Sequence, residues 1–474
     1  MQLRATLIAV IVLSAGLMGL CFHAAVGTPN YAARAGRTCD NCHVTPNQWV
    51  NPELKKRKCN LTCQGCHVDP AGGGMRNGPG RYYGRSTLAM TATSPRPTAD
   101  WDRNFPGYGR RDKATSYNDN LPMGPSTFGE SVAWQDSISD RLAWGHAVTA
   151  PTEYGFLPGR YHHLNPDPLF RIGLDLRLAT LLSGTALIFP MQIDIPMALH
   201  PLHHLTLFAN TGARGRTSGY TATFESDHSF YFREAFVMLH EAPFQSYVKA
   251  GRFVPSYGLR LDDHTSRIRR EFELDGGLPE ARVTGVEAGL APNYPFLQTS
   301  YFRMTSKYRV PDAWDIFDLD DGWGVAVNGG WRDEFWTLAG SWMIRRRPLD
   351  EGGDTDTWGV YGALNFWQRW RGVPLTWQGE YDRGSFQRAS GNSADKAAFY
   401  QELDWLLYNG LNLLVAHDWA DPDRAVRDDE SHRAQAGVQW TWIPGVTLDT
   451  RVRWLIPSSN GSGADLFLQL HLWI

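Results

Sequence analysis

From about residue 130 to its end the chain alternates apolar and polar residues one at a time. Leu466, Leu468, Leu470, Leu472 and Ile474 interleave with Phe467, Gln469, His471 and Trp473. Val446, Leu448, Thr450, Val452 and Trp454 interleave with Thr447, Asp449, Arg451 and Arg453, and Ala434 to Trp442 interleave with Arg433 to Thr441. Earlier, Phe170, Ile172, Leu174, Leu176 and Leu178 interleave with Arg171, Gly173, Asp175 and Arg177. A period of two sends successive side chains to opposite faces of a strand, so these strands have one apolar face and one charged face. A soluble sandwich alternates too. Three features favour a membrane barrel: runs of about ten residues, the length a tilted strand needs to cross a bilayer; Trp and Tyr near strand ends, as in an aromatic girdle; and a chain that stops in a strand, at Leu472-Trp473-Ile474.

Scanning residues 129–474 gives about 16 candidate strands, a porin-sized even number. "NFWQRWRGVPL" and "TWIPGVTL" leave room only for tight turns, whereas "RRRPLDEGGDTDTW", "DWADPDRAVRDDESH" and "RVPDAWDIFDLDDGW" are longer and acidic. Short turns on one side and long loops on the other are expected of such a barrel. The fold class expected is mainly β, a transmembrane antiparallel β-barrel. Composition agrees: the 474 residues are 42% hydrophobic and 20% charged, which excludes a disordered chain, and a formal net charge of -3 gives no basic excess for nucleic acid.

The first residues read as an export signal spanning 1–27. Arg4 supplies the positive start, Leu7 to Leu20 a short apolar run, and Ala25 to Gly27 small residues for cleavage. An uncleaved anchor, or lipidation at Cys21, are the other readings. Five of the 6 cysteines then fall between Cys39 and Cys66, in "CDNCHVTPNQWVNPELKKRKCNLTCQGCH". Cys-x-x-Cys serves disulfide exchange, zinc binding or covalent haem attachment, and a following His points to haem. Both Cys39-x-x-Cys42-His43 and Cys63-x-x-Cys66-His67 carry that His. The thiols add to the haem vinyl groups and the His gives the proximal imidazole. One four-thiolate zinc site is the alternative, and it gives neither histidine a role. Residues 28–90 are therefore expected to form a small N-terminal dihaem cytochrome c segment holding two covalent haems. Cys59 is left to pack against a haem. The run "PAGGGMRNGPGRYYG" predicts tight turns rather than a phosphate loop. Residues 91–128, rich in Pro, Asp, Asn and Gly, predict a linker or plug.

Distal ligands are open. Met75 and Met90 are the nearest sulfurs. No third histidine follows His67 before His146, so a bis-His haem must borrow from further along. His264 in "GRFVPSYGLRLDDHTSRIRR" lies with Asp262, Asp263 and several arginines in a polar segment able to fold inward; His471, on the polar side of the last strand, ranks behind it. No Ser-His-Asp order, metalloprotease helix or dinucleotide fingerprint supports a conventional enzyme.

"YAARAGRTCDNCH" with "CHVDPAGGGMRNGPGRYYG", and "FYFREAFVMLH" with "YVKAGRFVPSYGLRLDDHTSRIRR", resemble segments of a family of outer-membrane c-type cytochromes fused to a porin-like barrel. The layout is also similar to the fused cytochrome–porins of iron-oxidising bacteria, which carry one haem motif where this chain has two. The resemblance implies that Cys39, Cys42, His43, Cys63, Cys66 and His67 are haem attachment and axial positions. It implies electron transfer across the outer membrane, between a periplasmic c-type cytochrome and extracellular metals, minerals or a second cytochrome. A solute porin with a haem-containing redox gate or plug is the other function carried forward.

Overall fold

The computed structural model describes residues 67–70, 72, 74–76 and, with interruptions in the connections, 170–473. The export segment, the boundaries at 27, 90 and 128, and Cys39, Cys42, His43, Cys59, Cys63, Cys66, Met90 and His264 lie outside the described residues.

The strands are β1 (Phe170–Ile172), β2 (Asp175–Ser183), β3 (Thr185–Leu202), β4 (Leu205–Ala213), β5 (Arg216–Ser218), β6 (Thr221–Thr223), β7 (Phe230–Ala242), β8 (Ser246–Phe253), β9 (Val283–Leu290) and β10 (Pro295–Thr305). They continue with β11 (Leu319–Arg332), β12 (Trp336–Arg346), β13 (Thr355–Asn365), β14 (Leu375–Gln387), β15 (Ser393–Tyr408), β16 (Leu411–Asp421), β17 (Ser431–Ile443), β18 (Val446–Pro457) and β19 (Gly463–Trp473). β5 and β6 form a separate hairpin, and the others make one 17-stranded sheet. β1 and β2 both pair with β3, at Phe170↔Leu199 and Asp175↔Asp194, and are one interrupted stave. The barrel therefore has 16 staves. It closes where β19 meets β2 in antiparallel register, Leu466↔Leu182 to Trp473↔Asp175.

Closure explains the alternation. Each stave satisfies its backbone on two neighbours, so the side chains alone decide which face meets which medium. Leu338 and Trp342 of β12 face out, while Thr337, Ala339, Ser341, Met343 and Arg345 face in and are buried. Asp449, Arg451 and Arg453 of β18 are likewise buried inside, with Leu448, Val452 and Trp454 exposed outside. This is the reverse of a soluble core, and it is the arrangement a hydrocarbon surround demands. Among the described residues no helix is long and apolar enough to cross a membrane, and the outward apolar face of the strands is the surface suited to one.

The two ends differ. The strand bounds leave 2 to 4 positions between β3 and β4, β7 and β8, β9 and β10, β11 and β12, β15 and β16, and β17 and β18 at one end, and 9 to 29 positions between β4 and β7, β8 and β9, β10 and β11, and β16 and β17 at the other. "TWIPGVTL" forms its tight turn. Of "NFWQRWRGVPL", residues 367–374 lie outside the described residues. At the short-turn end Tyr294 stacks on Trp331 at 5.5 Å, and Trp440 lies 6.1 Å from Trp442, as a girdle would.

Val360 is central in β13 and 49% exposed on the outer face. Val360→Arg should cost about 2–4 kcal/mol in denaturant unfolding from lipid vesicles, and Val426→Arg, in the 422–430 connection, less than about 1 kcal/mol.

Candidate functional site

Among the described residues, two inserted segments enter the lumen. One is the 29-position stretch 254–282 between β8 and β9, which includes the helix α1 (Arg267–Glu271). The other is the hairpin 67–76, which carries the histidine of the second Cys-x-x-Cys-His motif.

The hairpin is short. His67 bridges Arg76, and the Val68 N–H donates to the Met75 carbonyl at 3.0 Å. The Gly72 N–H donates to the Asp69 carbonyl at 2.9 Å, and Gly72 and Gly74 take φ of 88° and 60°. Such left-handed turns need glycine, as the glycine-rich sequence predicts. Antiparallel register puts His67 and Arg76 on one face and Val68 and Met75 on the other. Val68 and Met75 join an apolar cluster with Phe208, Phe236 and Met238. Met75 is thus on the face opposite His67.

Asp69 holds the hairpin in place. Lys249 on β8 is fully buried and lies 3.0 Å from Asp69 Oδ1 and 3.0 Å from Glu287 Oε1 on β9. Glu287 also accepts from the Tyr247 hydroxyl at 2.7 Å and the Ser300 hydroxyl at 2.8 Å. An unpaired buried ammonium would be expelled; between two carboxylates it stays charged. At the short-turn end, Arg171 Nη1 donates to the Arg76 carbonyl at 3.1 Å, and the Arg76 guanidinium lies 3.7 Å from the centre of the Trp473 ring.

The 254–282 segment enters from the long-loop end and is tied at intervals. Arg269 donates to Glu380 at 2.9 Å and to the Tyr257 carbonyl at 3.1 Å, and the Leu259 N–H donates to Glu380 at 3.2 Å. Gly258 has φ 60°, and its backbone passes so close to Glu380 and Arg269 that a Cβ would collide with both. Burial, with the Asp382 and Glu380 carboxylates nearby, pushes the Tyr257 phenol well above its ordinary value, so its hydroxyl stays protonated and donates to Asp382 at 3.3 Å. Arg345 and Arg347 each reach Glu273 at 3.3 Å. The two segments meet where Arg260 Nη1 lies 3.3 Å from Asp69 Oδ2. The expectation that "PSYGLRLDDHTSRIRR" folds inward therefore holds for its described residues.

Beside these segments runs a polar cavity lined by Leu261, Glu402, Asp449, Arg451, Gln469 and His471, among others. His471 Nε2 donates to Asp175 Oδ1 at 3.1 Å. Other described histidines are placed differently. His200 and His240 are linked through the Thr206 hydroxyl at 2.9 Å each near the short-turn end, and His417 and His432 stack on the outer face. Sequence reasoning named Asp69 and Lys249 nowhere; only the presence of each residue was visible, and they are 180 positions apart.

His67 is 4% exposed, inside the barrel, with an apolar cluster behind it and a polar cavity in the same lumen. The thiols of either motif lie outside the described residues.

No protein-family model matches the chain, and no curated protein matches it in sequence. In three dimensions it resembles solved outer-membrane porins. A loop L8 deletion mutant of OmpT, an outer membrane protein of Vibrio cholerae, matches at 9% identity and TM-score 0.49, over 64% of this chain and 99% of that one. An anion-selective porin from Comamonas acidovorans matches at 11% identity and TM-score 0.46, over 64% and 99%. The outer membrane protein OpdK from Pseudomonas aeruginosa matches at 13% identity and TM-score 0.40, over 64% and 98%. The strand pairing by itself makes the chain a barrel.

Lys249→Met leaves Asp69 and Glu287 facing each other without their shared cation. It should destabilise the barrel by about 3–5 kcal/mol in denaturant unfolding, and should expose the hairpin near Asp69 to limited proteolysis.

Proposed function

We propose that this chain is a barrel of the bacterial outer membrane, exported by its N-terminal segment, whose lumen is plugged by its own haem-bearing segment, and that it passes electrons rather than solutes. The observation that carries this reading is the burial of His67 inside the barrel, on a hairpin pinned by Asp69 between Lys249 and Arg260. A bilayer is an insulator. A closed barrel replaces hydrocarbon with a polar, protein-lined passage, and a plug keeps that passage from leaking.

Two c-type haems attached at Cys39, Cys42, Cys63 and Cys66, with His43 and His67 as axial ligands, would supply one-electron carriers. The chain's own residues hold His67, through its bridge to Arg76, near the short-turn end, which in barrels of this kind faces the periplasm. A periplasmic c-type cytochrome is the expected partner there, and an extracellular metal, mineral or cytochrome at the long-loop end. Buried charges around the lumen, Glu380 and Asp382 among them, set the field the carriers feel.

A solute porin with a haem-containing redox gate is the second reading. The barrel architecture favours it, since a wide barrel with a charged lumen is a channel scaffold, and so does the polar cavity along β14–β19.

Reconstitution into liposomes separates the two. The conduit predicts reduction of an enclosed ferric chelate by an external donor, with little leak of sugars, and loss of that transfer in a Cys63→Ser, Cys66→Ser variant that still forms the barrel. Sugar flux without electron transfer would overturn it in favour of the porin.

A further inference from the structure

His417 on β16 and His432 on β17 face away from the lumen and serve neither inserted segment. We propose that they form a binding site for a divalent transition-metal ion of the zinc, copper or nickel type, on the outer wall of the barrel at its long-loop end. The site stands apart from the haem reading above.

The register brings the pair together. β16 and β17 are antiparallel, with His417 opposite Ala434 and Trp419 opposite His432. The two histidines are therefore diagonal neighbours on one face, a spacing that ring side chains can bridge. That face is the outer one: Val415, two residues before His417, is 51% exposed, while Ala416 and Asp418 are buried inside. His432 is the second residue of β17 and follows the 422–430 connection, so the pair lies next to the long-loop rim.

The rim at this point is polar. Asp421 ends β16, and Glu430, two residues before His432, is near enough for its charge to act on that ring. On the adjoining strands Asp395 accepts from Arg383 at 2.7 Å and from Arg424 at 3.2 Å, and all three side chains are partly exposed. Charged groups in this row mark the edge of the apolar band, where water and dissolved ions reach the wall.

The geometry is that of two ligands around one ion. His417 Nε2 and His432 Nδ1 are 3.2 Å apart, and the ring planes differ by 20°. Two imidazole nitrogens bound to a tetrahedral ion at about 2.05 Å stand about 3.3 Å from each other. The pair already has the separation that such an ion imposes. Without metal, one N–H joins the two nitrogens. When an ion enters, that hydrogen moves to the far nitrogen of the same ring and both facing lone pairs turn to the metal, with no change of oxidation state. Phe399 on β15 packs beside the His417 ring at 6.3 Å and restricts its rotation.

Imidazole nitrogen suits zinc, copper and nickel, whereas calcium and magnesium take oxygen. Among the described residues no group of 3 or more His, Cys, Asp or Glu side chains is gathered around one point. Solvent therefore fills the remaining positions, and the site is an open one. Other described histidines lack this arrangement: the Thr206 hydroxyl stands between His200 and His240, and His471 faces a carboxylate.

The test titrates the full chain in detergent with Cu(II), followed by electron paramagnetic resonance, and then competes with Zn(II). The wild type should show a Cu(II) signal split by two nitrogens and displaced by Zn(II), and the His417→Ala, His432→Ala double variant should lose that signal. His417→Gln alone should leave one coordinating nitrogen. Barrel formation, read by heat-modifiable gel migration, should be unchanged in every variant, because both side chains lie on the outer surface. Zn(II) should raise the thermal unfolding midpoint of the wild type and not that of the double variant. The same two-nitrogen signal in wild type and double variant would overturn the proposal, and so would binding to the wild type at millimolar metal only.

Discussion

Inside hydrocarbon every backbone N–H and C=O must find its partner within the protein, because no water is there to substitute. The rest of this structure follows from that demand. Closure of β19 on β2 removes the last unpaired edge. With the backbone satisfied around the ring, the side chains sort by face, apolar out and charged in. A lumen lined with Arg, Lys, Asp and Glu then either fills with water or is filled by protein that brings matching charges.

This chain takes the second course, and the matching is specific. Each inserted segment carries the group its wall lacks. Asp69 meets Lys249, Arg269 meets Glu380, and Glu273 meets Arg345 and Arg347. None of these pairs is a surface ion pair worth a few tenths of a kcal/mol. Each is buried or nearly so, where removing one partner strands the other. The filled lumen is therefore a unit: the hairpin leans on the 254–282 segment through Arg260, and that segment leans on the far wall through Arg269. A plug tied at so many points is suited to holding a group at a fixed place, and poorly suited to swinging aside.

The parts legible in the sequence are those governed by local rules. Period-two alternation in β17, β18 and β19 reports directly which face meets lipid, so strand number and class were readable. The turn at Gly72 and Gly74 was readable because only glycine takes those φ values without strain. What stayed hidden depends on pairing between distant residues. Arg269 and Glu380 are 111 positions apart, and neither carries a local mark of its partner. "PSYGLRLDDHTSRIRR" reads as polar and irregular, which permits an inward fold without saying what it would touch. Met75 looked like a ligand by proximity in sequence; the ladder assigns it to the face turned from His67, a distinction that needs the hydrogen-bond register.

The same pairing shows what closing a charged lumen requires. In an open channel the charged lumen face is solvated and its charges are cheap. Once the lumen is closed by protein, the same charges become buried, and each has to be compensated. The charged wall along β18 and β19 keeps internal pairs of its own, Arg451 with Asp449 and Arg453 with Asp465. Beside the cavity Arg451 also reaches Glu402 at 3.7 Å, so one guanidinium is shared by two carboxylates. Compensation on this side of the lumen comes from the wall itself, whereas at β8 it comes from an inserted segment, Asp69 against Lys249.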